Sequence, residues 1–155
     1  MSQCHDLYEA QEYGPAEASV GIRYNRQHEC QFVSEVHDKV HVVRVIGSLD
    51  WTTEAVFADL LRDHCWEPIL IIDLVAGRVD AAGTGALVLA AEQATRRRQQ
   101  LVLVATDPVQ LSVMISTGLN IVVPIVSSEE EAVIWCELHG VPPWATPPPW
   151  AMARD

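Results

Sequence analysis

The sequence predicts an α/β domain built on a mixed sheet of about five strands with about four helices, in the order β-β-α-β-α-β-α-β-α. Three observations carry that reading. The runs Ile69–Leu74 and Leu101–Ala105 are apolar on both faces, as strands covered from both sides are. The segments that follow the central strands repeat apolar or small residues at helical spacing. Two shorter β-branched runs precede them, separated by a polar turn, which reads as an opening hairpin.

Taken in order, Gln31–Val36 is the first strand, His37-Asp38-Lys39 the turn, and Val40–Ile46 the second strand. Gly47-Ser48-Leu49-Asp50 ends the hairpin as a turn. Asp50 or Thr52 is placed to cap the next helix, with Glu54 in its favourable first turn. Phe57, Leu60, Leu61 and His64 recur at helical spacing and form its inward face. Pro68 stops the approach to the third strand, Ile69–Leu74. The second helix runs from Gly83 to about Arg97, and its Ala86, Ala90, Ala91 and Ala94 let it lie close to the sheet. Cations at its end, Arg96-Arg97-Arg98, complement the negative end of the helix dipole. Leu101–Ala105 is the fourth strand. Asp107-Pro108 opens a third helix that ends at Gly118, a left-handed cap. Ile121–Val126 is the fifth strand, placed at an edge by Pro124. Ser128-Glu-Glu-Glu131 is a capping box for the last helix, which runs through Leu138.

The 155 residues therefore divide into an N-terminal extension, 1–29, a compact domain, 30–140, and a Pro/Trp-rich tail, 141–155. The extension lacks clear periodicity and reads as partly helical or disordered. The tail, with Pro142, Pro143 and Pro147–Pro149, reads as extended polyproline-like chain. The second strand carries apolar residues on both faces: Val40, Val42 and Ile46 lie opposite Val43 and Val45. If helices cover one side alone, the other needs the extension, the tail or a second subunit, so a homodimer is an expectation.

Charge narrows the partners. With 21 acidic against 10 basic residues the net charge is −11, which argues against nucleic acid and anionic membranes and steers the chain toward a basic protein surface. Cys4, Cys30, Cys65 and Cys136 form no C-x-x-C pair and read as reduced thiols. No metal-ligand spacing is legible, so no metal is expected. There is no apolar leader and no run long enough to span a bilayer, so a cytoplasmic location is expected.

Enzyme motifs fail one by one. Gly83-Thr84-Gly85 opens a helix after a strand, but the third glycine of a dinucleotide fingerprint is replaced by Val88, and Asp80 stands where a pyrophosphate would approach. Lys39 is the chain's only lysine, which excludes a P-loop. There is no Gly-x-Ser-x-Gly elbow, none of the six histidines has an evident Ser or Cys partner, and Asp73 reads as a satisfied structural group. No enzymatic activity and no cofactor are expected. What remains is a rim at the carboxyl ends of the strands, where open α/β sheets concentrate binding. Asp50 and Asp80 meet there if their strands are neighbours, with Trp51 and Thr84 beside them. Trp51 is either a partner anchor or a hydrophobic staple over the first helix. Gly83 and Gly85 are read as allowing close backbone approach. The free N–H groups at the Gly83 helix start would also attract an anion.

The stretch Ile69–Leu87, with Asp80-Ala81-Ala82-Gly83 at its centre, resembles the signature of the STAS domain, the fold of bacterial anti-sigma factor antagonists. Gly47-Ser48-Leu49-Asp50, Leu101–Val104 followed by Pro108, Gly118-Leu119 and Ser128–Ala132 resemble further landmarks, so the likeness spans roughly 30–139. In that family the loop reads Asp-Ser-Ser-Gly or Asp-Ser-Thr-Gly, and the residue after the aspartate is phosphorylated by a partner anti-sigma factor that is also an ATPase-type kinase. Here Ala81 takes that place and carries no hydroxyl. The resemblance implies a regulatory protein–protein interaction module of transcription signalling that lacks the usual phosphoserine. Its partner contact would be carried by Asp50, Trp51, Asp80, Ala81, Ala82, Gly83 and Thr84, with Thr84 the nearest substitute phosphoacceptor. The alternative is a ligand-sensing module that takes a small anion or nucleotide at the Gly83 helix start.

Overall fold

The structure, a computed structural model, describes residues 8–13, 18–25 and 30–139. Eight strands and five helices follow one another as β1 (Tyr8–Tyr13), β2 (Ala18–Asn25), β3 (Cys30–His37), β4 (Val40–Leu49), α1 (Glu54–His64), β5 (Ile69–Asp73), β6 (Gly77–Val79), α2 (Ala81–Arg96), β7 (Gln100–Val104), α3 (Pro108–Ser116), α4 (Leu119–Val122), β8 (Ile125–Val126) and α5 (Glu129–His139). The α/β class and the order of the main elements are as the sequence predicts. The sheet order is β1-β2-β3-β4-β5-β7-β8, with β6 paired to the end of β4. From β1 to β4 neighbours are antiparallel; from β4 through β5 and β7 to β8 they are parallel.

Four differences from the sequence reading have physical causes. The extension contributes β1 and β2, which continue the antiparallel ladder outward from β3; the alternation Val20, Ile22, Tyr24 is the period-two signal that marks β2. The tail lies outside the described residues. Gly47–Leu49 is strand rather than turn: β4 leaves β5 after Arg44 and pairs in parallel with β6, with Gly47 at φ +106° where the partner changes. The expected strand Ile121–Val126 shrinks to β8, preceded by the short helix α4. The register Leu103↔Ile125 would next set Leu101 opposite Val123 and call on an N–H at Pro124, which has none. Finally, α2 starts at Ala81, two residues early, because Asp80 caps it.

The main core lies between the sheet and α1–α4. Phe32, Val43, Val45, Phe57, Leu60, Leu87, Met114 and Leu119 are buried in it. Ala86, Ala90 and Ala94 bring α2 close to the sheet as read, and Phe57, Leu60 and Leu61 face inward from α1, whereas His64 is exposed. Arg97 ends α1 rather than its own helix: its guanidinium donates to the carbonyls of Leu61 (2.9 Å), Cys65 (3.1 Å) and Arg62 (2.7 Å) and lies 3.5 Å above the Trp66 ring.

A second core covers the opposite face. Val42, Ile71, Val102 and Val104 pack there against Ala132 and Cys136 of α5, with Val40 half-buried beside them. The cover expected of the extension, the tail or a second subunit is thus supplied by α5, which removes the argument for a homodimer; Ile46, 38% exposed, lies outside it. Half of the capping box read for α5 forms: Ser128 Oγ accepts the Glu131 N–H at 3.0 Å, while the Glu131 carboxylate accepts from the hydroxyl (2.5 Å) and N–H (3.4 Å) of Ser127, one residue before the expected Ser128.

Arg44 fastens α5 to the sheet. It donates to both carboxylate oxygens of Glu129 (2.6 and 2.7 Å) and to Glu35 on β3 (2.8 Å). Asp73, opposite Arg44 in register, shares this cluster. Partial burial and the neighbouring Glu129 carboxylate push the Asp73 carboxyl up to about 6, and Asp73 Oδ1 accepts the Val75 N–H at 2.9 Å. The sign follows from linkage. A carboxyl whose folded pKa is raised binds its proton more tightly when folded, so its ionisation costs stability: the cost is full above about 6 and fades as pH falls from there to the ordinary value of 3.8. Asp73→Asn should therefore raise stability at pH 7.5 by on the order of 1 kcal/mol, solvent screening included. Thermal denaturation of both proteins from pH 7.5 to 4 checks this: the gain should hold above pH 6 and shrink steadily between 6 and 4, and a gain that is absent or independent of pH would contradict it.

Candidate functional site

Two strand ends and two helix starts meet at one rim of the sheet. Leu49 at the end of β4 pairs in parallel with Val79 at the end of β6, and the Asp80 N–H reaches the Leu49 carbonyl at 3.4 Å. Asp50 and Asp80 each follow a member of that pair, so the two carboxylates stand on adjacent strand ends. The condition stated from sequence, that these strands be neighbours, holds through β6.

Each aspartate organises its own helix start. Asp50 Oδ1 accepts the Thr52 N–H at 2.9 Å and the Thr52 hydroxyl at 2.5 Å. These bonds, the hydroxyl first, hold its carboxyl below the usual range, so it is charged at neutral pH. Its carbonyl accepts the Glu54 N–H at 2.9 Å, at the start of α1. The fully buried Thr53 locks the turn from beneath: its hydroxyl donates to the Ser48 carbonyl at 2.8 Å and accepts the Asp50 N–H at 3.0 Å. The sequence reading passed over Thr53, although an aspartate followed three residues later by threonine is a legible turn signal. On the other strand end, Asp80 caps α2 by accepting the Gly83 N–H on Oδ1 at 2.9 Å.

The remaining residues separate into exposed and structural. Trp51 is 74% exposed, which excludes the staple reading and leaves a large aromatic surface at the rim. Ala81 is exposed and Ala82 half-buried at the first turn of α2. Gly83 is buried against β4: a Cβ there would lie 2.1 Å from the Leu49 carbonyl oxygen. Gly85 has open space where its Cβ would be, so of the two glycines Gly83 alone serves a close approach. Thr84 is 4% exposed, and its hydroxyl donates to the Asp80 carbonyl at 2.9 Å. The first N–H groups of α2 sit beside the Asp80 carboxylate, which satisfies one of them.

One histidine does have nucleophile-type neighbours, contrary to the sequence reading. On β4, at the end away from the rim, His41 Nδ1 lies 2.6 Å from Glu67 Oε1, while Nε2 faces the Ser34 hydroxyl and, at 3.7 Å, Cys65 Sγ. Ser34, His41 and Cys65 are all buried, and burial lowers the His41 pKa against the pull of Glu67. Spacings of 7 and 24 residues hid these contacts from local pattern reading. The group packs as an internal polar network of the main core. Among the described residues no cluster of His, Cys, Asp and Glu could hold a metal ion, and no helix is long and apolar enough to cross a membrane.

The two glycines yield opposite expectations. Gly83→Ala should cost about 1–3 kcal/mol, because α2 must lift from Leu49 to admit the methyl group. Gly85→Ala should stabilise by up to about 1 kcal/mol, through helix propensity alone. Urea denaturation of both variants checks this, and a neutral Gly83→Ala would contradict the close approach.

Comparison with known proteins agrees with this architecture. The family model described as STAS domain matches residues 31–132. No curated protein sequence matches. Among solved structures, an anti-sigma factor antagonist from Mycobacterium paratuberculosis is 26% identical with a TM-score of 0.61, covering 70% of this chain and 94% of its own. The anti-sigma factor antagonist SpoIIAA in its unphosphorylated form is 16% identical with a TM-score of 0.51, covering 71% and 99%. The murine Solute Carrier 26 family member A9 anion transporter is 17% identical with a TM-score of 0.57, covering 64% of this chain and 18% of the transporter. The last two likenesses are of fold; that a transporter carries the same fold leaves function to be argued from the rim.

Proposed function

The chain belongs to the STAS domain family, and on that premise we propose that it is a cytoplasmic anti-sigma factor antagonist-like module that docks a partner protein constitutively. The observation that supports this reading best is the composition of the rim. Two carboxylates on paired strand ends flank the start of α2, the exposed Trp51 stands beside them, and the position that follows Asp80 is Ala81. A phosphate at that position would bring nearly two further negative charges beside Asp50 and Asp80, and repulsion would release a partner that needs those carboxylates. Alanine cannot accept it. The partner we propose is an anti-sigma factor or related ATPase-type kinase, met by a surface whose charge is fixed.

Thr84 is a poor substitute acceptor on this reading. Its hydroxyl is buried and donates within the first turn of α2, so a kinase would have to open the helix start to reach it. The same geometry disfavours the ligand-sensing alternative. The Asp80 carboxylate already accepts the Gly83 N–H and places negative charge where an anion or nucleotide phosphate would have to bind.

The test is a restoration. Incubated with an ATPase-type anti-sigma factor kinase from the same organism and ATP, the wild-type protein should bind the kinase and take up no phosphate. The Ala81→Ser variant should take up one phosphate at position 81 and then bind at least about tenfold more weakly, as a doubly charged group beside two carboxylates requires. Phosphate on Thr84 of the wild type, or no binding by either protein, would overturn the proposal.

A further inference from the structure

The rim opens into a second feature that its contacts do not use. Between α1 and α2 runs a groove of about 290 Å³, lined by the exposed Ala55 and Ala58 of α1 and the buried Ala86 and Ala90 of α2, with the 62% exposed Leu89 and Glu54 also on its lining. Small alanines line it on both helices, so the two leave a depression rather than a ridge, and its lining is mostly apolar. The stretch of α1 along it, Glu54–Leu61, is about 10 Å long at the helical rise, enough for two turns of another helix.

Its electrostatics are one-sided. Residues 45–61 and 79–95, which form both walls and the adjoining rim, contain Asp50, Glu54, Asp59, Asp80 and Glu92 and not one Lys, Arg or His. Basic groups stand just outside these stretches, at the exposed Arg78 on β6 and, beyond the far end, at Arg96–Arg98 and Arg62, which pairs with Asp59 at 2.9 Å; the carboxylates left at the near end are Asp50, Glu54 and Asp80. An apolar lining whose near end carries Asp50, Glu54 and Asp80, with no basic residue on its two helix walls, is complementary to one kind of occupant: a helix with an apolar stripe and flanking Lys or Arg. A second copy of the chain would bring the same carboxylates and be repelled, as would an anionic lipid surface. The chain's own C-terminal segment, 140–155, has Arg154 as its one basic residue and offers no such stripe.

We propose that the α1–α2 groove is the receptor for a basic amphipathic helix of the partner protein, seated with its apolar side chains over Ala58 and Ala90 and its cations against Glu54, Asp50 and Asp80. This rests on the rim being a protein-docking surface and names what the partner brings to it. In this arrangement Trp51 and Leu89 close over the inserted apolar residues and exclude water from the charge pairs, which strengthens them.

The test uses the full-length chain, isotope-labelled for NMR, and a synthetic Leu/Lys peptide of about five helical turns with all its leucines on one face. A scrambled isomer of equal charge is the control. The patterned peptide should shift the amides of 54–61 and 86–93 and the Trp51 indole, and the scrambled one should bind at least about tenfold more weakly. Ala58→Lys, at an exposed position of α1, should abolish binding of the patterned peptide, and Ser112→Lys, on the exposed side of α3, should leave it unchanged. Equal binding of the two peptides, shifts centred on α3 or α5, no binding, or an unaffected Ala58→Lys would each overturn the groove assignment. Uptake of phosphate by the Ala81→Ser variant does not depend on the groove, so its persistence after such a result would leave the rim reading standing.

Discussion

The geometry of the rim depends on one close contact, the approach of the α2 start to the end of β4 at Gly83 and the Leu49 carbonyl. The contact is possible because β4 changes partner. Its first half pairs with β5, as in any parallel α/β sheet, and its last three residues pair with β6. Gly47 supplies the positive φ at the change, and at Gly77 a Cβ would lie 2.9 Å from the Val45 carbonyl oxygen, too near for any larger residue. Without that change of partner Asp80 would have no fixed place relative to Asp50, and the two acidic helix starts would not share a surface.

From that constraint the division of labour among neighbouring residues follows. Thr53, Gly83 and Thr84 are buried, and each makes or permits a contact that fixes the backbone. Asp50 and Asp80 shape the helix starts with one carboxylate oxygen apiece, and Trp51 and Ala81 are exposed. A hydroxyl at position 81 would project into solvent beside two carboxylates, which is why a single methyl side chain there has so large an electrostatic consequence on the proposed reading. The groove between α1 and α2 extends the same acidic character along the helices, so the charge of the rim and that of the groove act together on an approaching partner.

How much of this could be read from the sequence depended on whether the signal was local. The strands β5 and β7, the alanine face of α2, the Asp107-Pro108 start of α3 and the Ser128 cap of α5 are all written in neighbouring residues, and all are present. What escaped was non-local or too short. At three residues β6 is below the length at which alternation can be seen, and its pairing with β4 spans some thirty positions of sequence. The cover of the second face by α5 rests on Ala132 and Cys136, small residues that give a weak apolar stripe. The shortening of β8 comes from the missing N–H at Pro124: the same residue that marks an edge strand also ends its pairing. The candidate residues themselves are legible from two local motifs, Gly47–Asp50 and Asp80–Gly83, whereas their separation into exposed and buried, with Thr84 and Gly83 inward and Trp51 outward, required the packing.

The most direct measurement is hydrogen exchange of the protein alone and in complex with an ATPase-type anti-sigma factor from the same organism. A constitutive rim predicts slowed exchange in the segments 49–54 and 79–86 of the wild-type chain, equal in the presence of ADP or ATP because no phosphate is transferred. Protection confined to α3, α4 or α5, or protection that disappears when ATP is supplied, would contradict the account.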